Sequence, residues 1–308
     1  MAVKGPALRK GDAIGVVTLG SPPGRTVIDA RIRDLQGLGF RVIIGRHIYA
    51  ENGFLAGTDQ ERAEDLMSMF ADPRVKMVLT IRGGVGVEGV LPYLDYGYIA
   101  RNPKLVSGYS DITILLNALY RFSGLVALHS LMLIDFRAGT PAYNFEQFFA
   151  AASSPAVPCA IANPPGMPLS GRVPGAVQGP IVGGNLTSIV GSLGTPFEID
   201  TAGAILLLEE THEPVNRVYR MLEQLRLAGK LRDCAGLIIG ECTRCEEAYG
   251  KTYEDLIDEF LVPLGKPLVA GLASGHGHYK AAIPIGARAL LDGGAGRLTL
   301  LEPAVRPV

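Results

Sequence analysis

The stretch Lys104-Leu105-Val106-Ser107-Gly108-Tyr109-Ser110-Asp111-Ile112-Thr113 decides how the chain is read. A short apolar run ends at Gly108. Two residues later a serine precedes a helical pattern carried by Ile112, Leu115, Leu116, Ala118 and Leu119. This is strand, sharp turn, helix, with Ser110 at the turn. A serine placed there stands above the sheet beside the free N–H groups that open a helix. Nucleophilic catalysis needs such an arrangement: an exposed oxygen next to donors able to hold an oxyanion. The same text also fits an ordinary helix start with Ser110 or Asp111 as N-cap, so the remainder of the chain has to discriminate.

Upstream, residues 12–19, 40–44 and 76–81 read as apolar strands, joining 104–107. Residues 27–38 and 59–70 read as helices between them, the second with Thr58 as cap and Glu61 at capping-box spacing. Strands alternating with helices imply a parallel sheet covered on both faces, and ligands of such sheets bind beyond the carboxyl ends of the strands. Two loops fall at that edge: Arg82-Gly83-Gly84-Val85-Gly86 and Tyr109-Ser110-Asp111. The glycine loop could approach a phosphate, lend an N–H to an oxyanion hole, or simply turn tightly. It lacks the lysine of a P-loop and the spacing of a dinucleotide fingerprint.

Downstream, residues 125–128 read as a further strand ending at His129, and 153–174 become rich in Pro, Ala and Gly. The expected organisation is an N-terminal α/β domain over 1–150, a linker over 151–174, and a C-terminal domain over 175–308. In the second half, Asn185 is a possible cap for a helix to Leu193, and an apolar strand over 204–208 runs into Glu209-Glu210. A strongly amphipathic helix covers 215–227, followed by a strand over 235–240, a helix over 253–261 and a strand over 267–270. Gly275-His276-Gly277-His278 lies in a loop, and 287–291 with 298–301 read as a closing hairpin. The fold class expected is α/β: an N-terminal parallel-sheet domain of flavodoxin or Rossmann type plus a smaller C-terminal α/β domain with mixed β structure.

The 308 residues are 48% hydrophobic and carry a net charge of −1, which gives no basis for binding nucleic acid or an anionic membrane. Met1–Gly11 holds no apolar signal-peptide core, and no run approaches the roughly 18 apolar residues of a membrane span. Four cysteines, at 159, 234, 242 and 245, are too few for a disulfide scaffold and fit a reducing compartment. Cys242-x-x-Cys245 lacks the second pair a structural zinc wants, so it reads as reduced thiols near a strand end, with no metal.

Ser110, Glu209 or Glu210, and His276 or His278 all sit near strand ends. A serine hydroxyl needs a base to take its proton, and histidine serves near neutral pH. A carboxylate fixes the tautomer and stabilises the imidazolium. The acids also fit a helix approach, and the histidines a polar loop.

Taken together, Lys10-Gly11-Asp12, Leu55-Ala56-Gly57-Thr58-Asp59, Arg82-Gly83-Gly84, Gly108-Tyr109-Ser110-Asp111, Gly183-Gly184-Asn185-Leu186-Thr187, Leu208-Glu209-Glu210 and Gly275-His276 resemble the LD-carboxypeptidases. These are serine peptidases that include muramoyl-tetrapeptide carboxypeptidases and microcin-immunity proteases. The resemblance implies Ser110 as nucleophile, His276 as base, Glu209 as its orienting acid, and the N–H groups of Gly84 and Asp111 as oxyanion hole. It implies hydrolysis of an L,D-amide bond, releasing terminal D-Ala from murein tetrapeptide in cytoplasmic cell-wall recycling, by a homodimer without metal or organic cofactor. The partner expected is a small peptide. Arg82 and Arg217 are candidates to pair with a substrate carboxylate, and Asn185 to bind substrate. The chain departs from the family text at Val85, at Val87-Glu88-Gly89, at His129-Ser130-Leu131 and at Asn216-Arg217-Val218-Tyr219-Arg220. A microcin-immunity-like hydrolase of aminoacyl or peptidyl nucleotides is the alternative within the family. A non-catalytic peptide-binding module is the alternative outside it, although a binder has no need of all three triad residues.

Overall fold

Runs of buried aliphatic residues dictate the strands, and their alternation with amphipathic segments dictates the helices. The computed structural model describes residues 2–154 and 156–307. In chain order the first half runs β1 (Ala13–Val17), α1 (Arg25–Gly37), β2 (Arg41–Ile44), α2 (Asp59–Ala71), β3 (Val75–Thr80), α3 (Tyr96–Arg101), β4 (Leu105–Gly108), α4 (Ile112–Ser123), β5 (Ala127–His129) and α5 (Ala142–Ser153). The second half runs β6 (Cys159–Ile161), β7 (Ser170–Val173), β8 (Ala176–Asn185), α6 (Leu186–Gly191), β9 (Ile205–Thr211), α7 (Val215–Leu227), β10 (Gly236–Thr243), β11 (Leu268–Leu272), β12 (Ile283–Ile285), β13 (Arg288–Asp292) and β14 (Arg297–Leu300).

Two sheets result. The first has six strands in the order β12-β5-β4-β3-β1-β2, and β1 to β5 are mutually parallel. The second has eight, in the order β6-β14-β13-β8-β9-β10-β11-β7, with β8 to β11 parallel and the remaining pairs antiparallel. The α/β class with a parallel first sheet and a mixed second one is therefore as expected. The 2-1-3-4-5 order of the first sheet puts its topological switch point between β1 and β3, and the glycine loop after β3 and the Ser110 turn after β4 lie at the same carboxyl edge. Thr58 caps α2 through a full capping box with Glu61.

Three features differ from the sequence reading. The segment 151–174, expected as a linker, contains β6 and β7, which pair with β14 and β11 and so close both edges of the second sheet. Proline and glycine density obscured these strands because both lie at edges, where Pro is tolerated. β12, from the second half, pairs antiparallel with β5 and completes the first sheet, so the two halves share an element. Cys242 and Cys245 are joined in a disulfide rather than standing as reduced thiols: the turn after β10 brings their Cα atoms to 5.4 Å, within bridging range.

α4 ties the halves together behind the serine turn. Asn117 exchanges two 2.9 Å hydrogen bonds with the backbone of Gly183, and Thr113 Oγ1 accepts from the Asn185 N–H at 3.0 Å.

Candidate active site

Ser110 occupies the turn between β4 and α4 with φ 63°, a left-handed conformation costly for an L-residue with a side chain. Four non-glycine residues among those described adopt such a φ, and Ser110 is the one at the carboxyl edge of the first sheet. The turn leaves its hydroxyl partly exposed. Gly83 of the glycine loop packs directly against it. A Cβ at position 83 would lie 2.8 Å from Ser110 Cβ and 2.9 Å from the Asp111 nitrogen, so only glycine lets the two loops meet. The N–H groups of Gly84 and Asp111 donate to no acceptor among the described residues. The Asp111 carboxylate locks the loops together, accepting from Val87 N–H at 2.9 Å and from Ser188 Oγ at 3.3 Å. Burial drives its pKa up to about 6, against the pull of those bonds and of Arg62.

His276 Nδ1 lies 2.9 Å from Glu209 Oε2. The carboxylate sits at the end of β9 and is completely buried, while the ring keeps some exposure. Gly275 permits this approach, since a Cβ there would fall 2.2 Å from Glu209 Oε2. Lys280 fixes the loop by donating to the carbonyls of Gly275 and Gly277, both at 2.7 Å. The His276 ring meets the Tyr109 ring edge-on at 5.1 Å, which brings it to the residue preceding Ser110. Ser110 and His276 are not hydrogen-bonded to each other here. Burial pushes the Glu209 carboxyl upward, but the hydrogen bond and charge of His276 outweigh it and hold the group below its ordinary value.

The strand separates the two acids. Successive residues of a strand face opposite ways, so Glu209 meets His276 while Glu210 turns towards α6. There Glu210 accepts from Thr187 N–H at 2.7 Å and Thr187 Oγ1 at 2.8 Å. His278 has no carboxylate partner among the described residues, and its ring packs on Tyr279 at 4.7 Å.

Residues 14–130 match the LD-carboxypeptidase N-terminal domain, and residues 178–291 match the LD-carboxypeptidase C-terminal domain. The chain belongs to the LD-carboxypeptidase family. It is 36% identical over 295 residues to the probable murein peptide carboxypeptidase of Bacillus subtilis (strain 168), covering 93% of this chain and 90% of that one. It is 33% identical over 287 residues to the murein tetrapeptide carboxypeptidase of Pseudomonas aeruginosa, covering 91% and 93%. Its fold superimposes on the muramoyltetrapeptide carboxypeptidase of Oxalobacter formigenes with a TM-score of 0.82 at 28% identity, over 96% of this chain and all of that one.

In this LD-carboxypeptidase a cavity of about 490 Å³ opens beside Tyr109 and His276. Its walls include Asp135, Arg137, Thr211, His212, Arg244 and Lys280. Arg82, Asn185 and Arg217 are not among the residues that line it. Asn185 is buried and spends its side chain on capping α6 through Ser188 N–H, at 3.1 Å. Arg217 stands exposed on α7, 3.4 Å from Glu213. Arg82 follows β3 half-buried and forms no ion pair among the described residues. Arg137, His212 and Arg244 line this cavity without standing out in the sequence, because each sits in a loop of irregular text. The C-x-x-C that brackets Arg244 was the available signal. No three His, Cys, Asp or Glu residues among those described group as a metal site, and no helix among them is long and apolar enough to cross a membrane.

His129 ends β5 fully buried, with Nδ1 3.3 Å from Ser274 Oγ and Nε2 without a partner among the described residues. Burial drives its pKa down to about 4, against the attraction of Glu209. A histidine that binds its proton less readily folded than unfolded costs nothing above the unfolded value near 6.5, then destabilises as pH falls towards about 4. That share is at most about 3 kcal/mol. Urea unfolding of His129→Gln at pH 7 and pH 4.5 should show a smaller loss at the acid end than wild type. Equal losses in the two proteins would remove this account of His129.

Proposed function

We propose that the protein is a serine carboxypeptidase that hydrolyses an L,D-amide bond and releases terminal D-Ala from murein tetrapeptide. The observation that carries this reading is the 2.9 Å His276–Glu209 pair held against the Tyr109-Ser110 turn. In this mechanism the Ser110 hydroxyl attacks the scissile carbonyl and passes its proton to His276 Nε2. Glu209 keeps the proton on Nδ1 and compensates the imidazolium. The free N–H groups of Gly84 and Asp111 hold the oxyanion. His276 then protonates the departing D-Ala nitrogen, and the C–N bond breaks to leave the peptide esterified to Ser110. Water, deprotonated by the same histidine, cleaves the ester and restores the hydroxyl. For the first transfer the Ser110 hydroxyl and His276 Nε2 have to come within hydrogen-bond reach. The same reading carries a role in cytoplasmic cell-wall recycling and a homodimeric state, both by family resemblance.

Mass spectrometry of the protein incubated with L-Ala-γ-D-Glu-meso-diaminopimelate-D-Ala tests the reading. Loss of one D-Ala with wild type, and none with Ser110→Ala, is the expected result. An intact tetrapeptide alongside a Ser110 labelled by a fluorophosphonate would keep the hydrolase and overturn this substrate, directing the search to aminoacyl nucleotides.

A further inference from the structure

Two non-glycine residues with positive φ line the cavity beside Tyr109 and His276: His212 at 60° and Arg244 at 57°. They follow β9 and β10, whose ends are register partners at Thr211 and Thr243. Backbone of this kind persists only where its surroundings fix it, and here they do. The His212 N–H donates to Thr243 O at 3.0 Å, and Thr211 Oγ1 donates to the same carbonyl at 3.0 Å. Thr211 Oγ1 also lies 2.8 Å from His212 Nδ1. The Cys242–Cys245 bond closes the turn around Arg244. The outcome is one oriented guanidinium, with Arg244 Nη1 3.3 Å from His212 Nε2.

This guanidinium has no carboxylate partner among the described residues, and its remaining N–H groups bond to nothing there. A planar fork of charged donors facing a cavity is suited to a carboxylate, which it can grip by two bonds at once. The other cations of the cavity are less apt. Lys280 has its ammonium committed to two carbonyls. Arg137 and Arg244 are both exposed, but among the described residues only Arg244 has a side-chain hydrogen bond to orient it, with His212. Pre-orientation matters because each freely rotating side chain immobilised on binding costs affinity. Asp135 is the sole acidic lining residue, and it is turned inward, accepting from Met132 N–H at 2.9 Å and Tyr109 OH at 3.3 Å.

We propose that Arg244, oriented by His212, binds the free terminal carboxylate of the peptide attacked by Ser110, so that the site selects carboxylate-ended peptides over their amides. The inference rests on the carboxypeptidase reading above and names what enforces it. It is tested with the tetrapeptide and its C-terminal D-alaninamide analogue. Arg244→Gln should lose about tenfold to a hundredfold in kcat/KM on the acid, mostly through KM, and little on the amide. Arg244→Lys should recover part of the loss. A wild-type preference for the acid retained in Arg244→Gln would overturn the proposal. If wild type cleaves neither peptide, the function reading falls, and the carboxylate site is judged by calorimetry on Ser110→Ala. There the acid should bind about tenfold more tightly than the amide, with the difference abolished by adding Arg244→Gln. Equal affinities for acid and amide would sink the site whether or not turnover occurs.

Discussion

Ser110→Gly should abolish hydrolysis while making the fold more stable. The activity loss follows from removing the only atom able to form the acyl-enzyme. Losses for a triad nucleophile run to about four to six orders of magnitude in kcat. The stability gain follows from φ 63° at this turn. An L-residue pays about 1–2 kcal/mol to adopt it, and glycine pays almost none. Glycine also loses more chain entropy on folding, by about 0.4–1 kcal/mol, so the net gain should be roughly 0.5–1 kcal/mol. Ser110→Ala separates the two effects: it should be equally inactive but keep wild-type stability, because alanine retains the Cβ. Urea denaturation and a D-Ala release assay on the three proteins decide the matter. Residual turnover near the wild-type level in either variant would remove Ser110 from the mechanism. Unchanged stability in the glycine variant would mean that the turn stores no strain.

Glu209→Gln should lower kcat by about three to four orders of magnitude with little change in fold. The side chain is fully buried, and its Oε2 holds His276 Nδ1 at 2.9 Å. An amide of the same shape can present its NH2 to that nitrogen. This selects the tautomer that cannot take a proton at Nε2 in the required sense, and no charge remains to balance the imidazolium. Glu210→Gln is the informative comparison. Its carboxylate serves the Thr187 N–H and hydroxyl at the start of α6, so the change should weaken α6 and leave turnover within about tenfold of wild type. Stopped-flow or steady-state rates for the two variants suffice. A larger loss from Glu210→Gln than from Glu209→Gln would exchange the two assignments. The pH dependence of the pair has a definite sign. A carboxyl held below its ordinary value contributes stability that is present above the unfolded value of 4.5 and is lost as pH falls through the folded one.

The sequence by itself determined the elements that local chemistry dictates. The apolar run into Gly108, the abrupt switch to helical period at Ile112 and the capping box at Thr58 are short-range signals, and each appears as read. The family text named Ser110, Glu209 and His276 together, and the structure pairs the last two. Tertiary structure alone decided what depends on distant partners. Whether Glu209 or Glu210 meets the histidine is a question of strand face, and β9 extends through Thr211 rather than stopping at Leu208. Proline-rich text at β6 and β7 becomes strand because the second sheet offers open edges to pair with. β12 is three residues long and gains its place only by lying against β5. The place of Arg244 on the cavity beside His276 follows from the register of β9 with β10, and no window of sequence around residue 244 contains that register. Local propensity can specify a turn or a cap, whereas convergence on one cavity requires the sheet that brings those loops together.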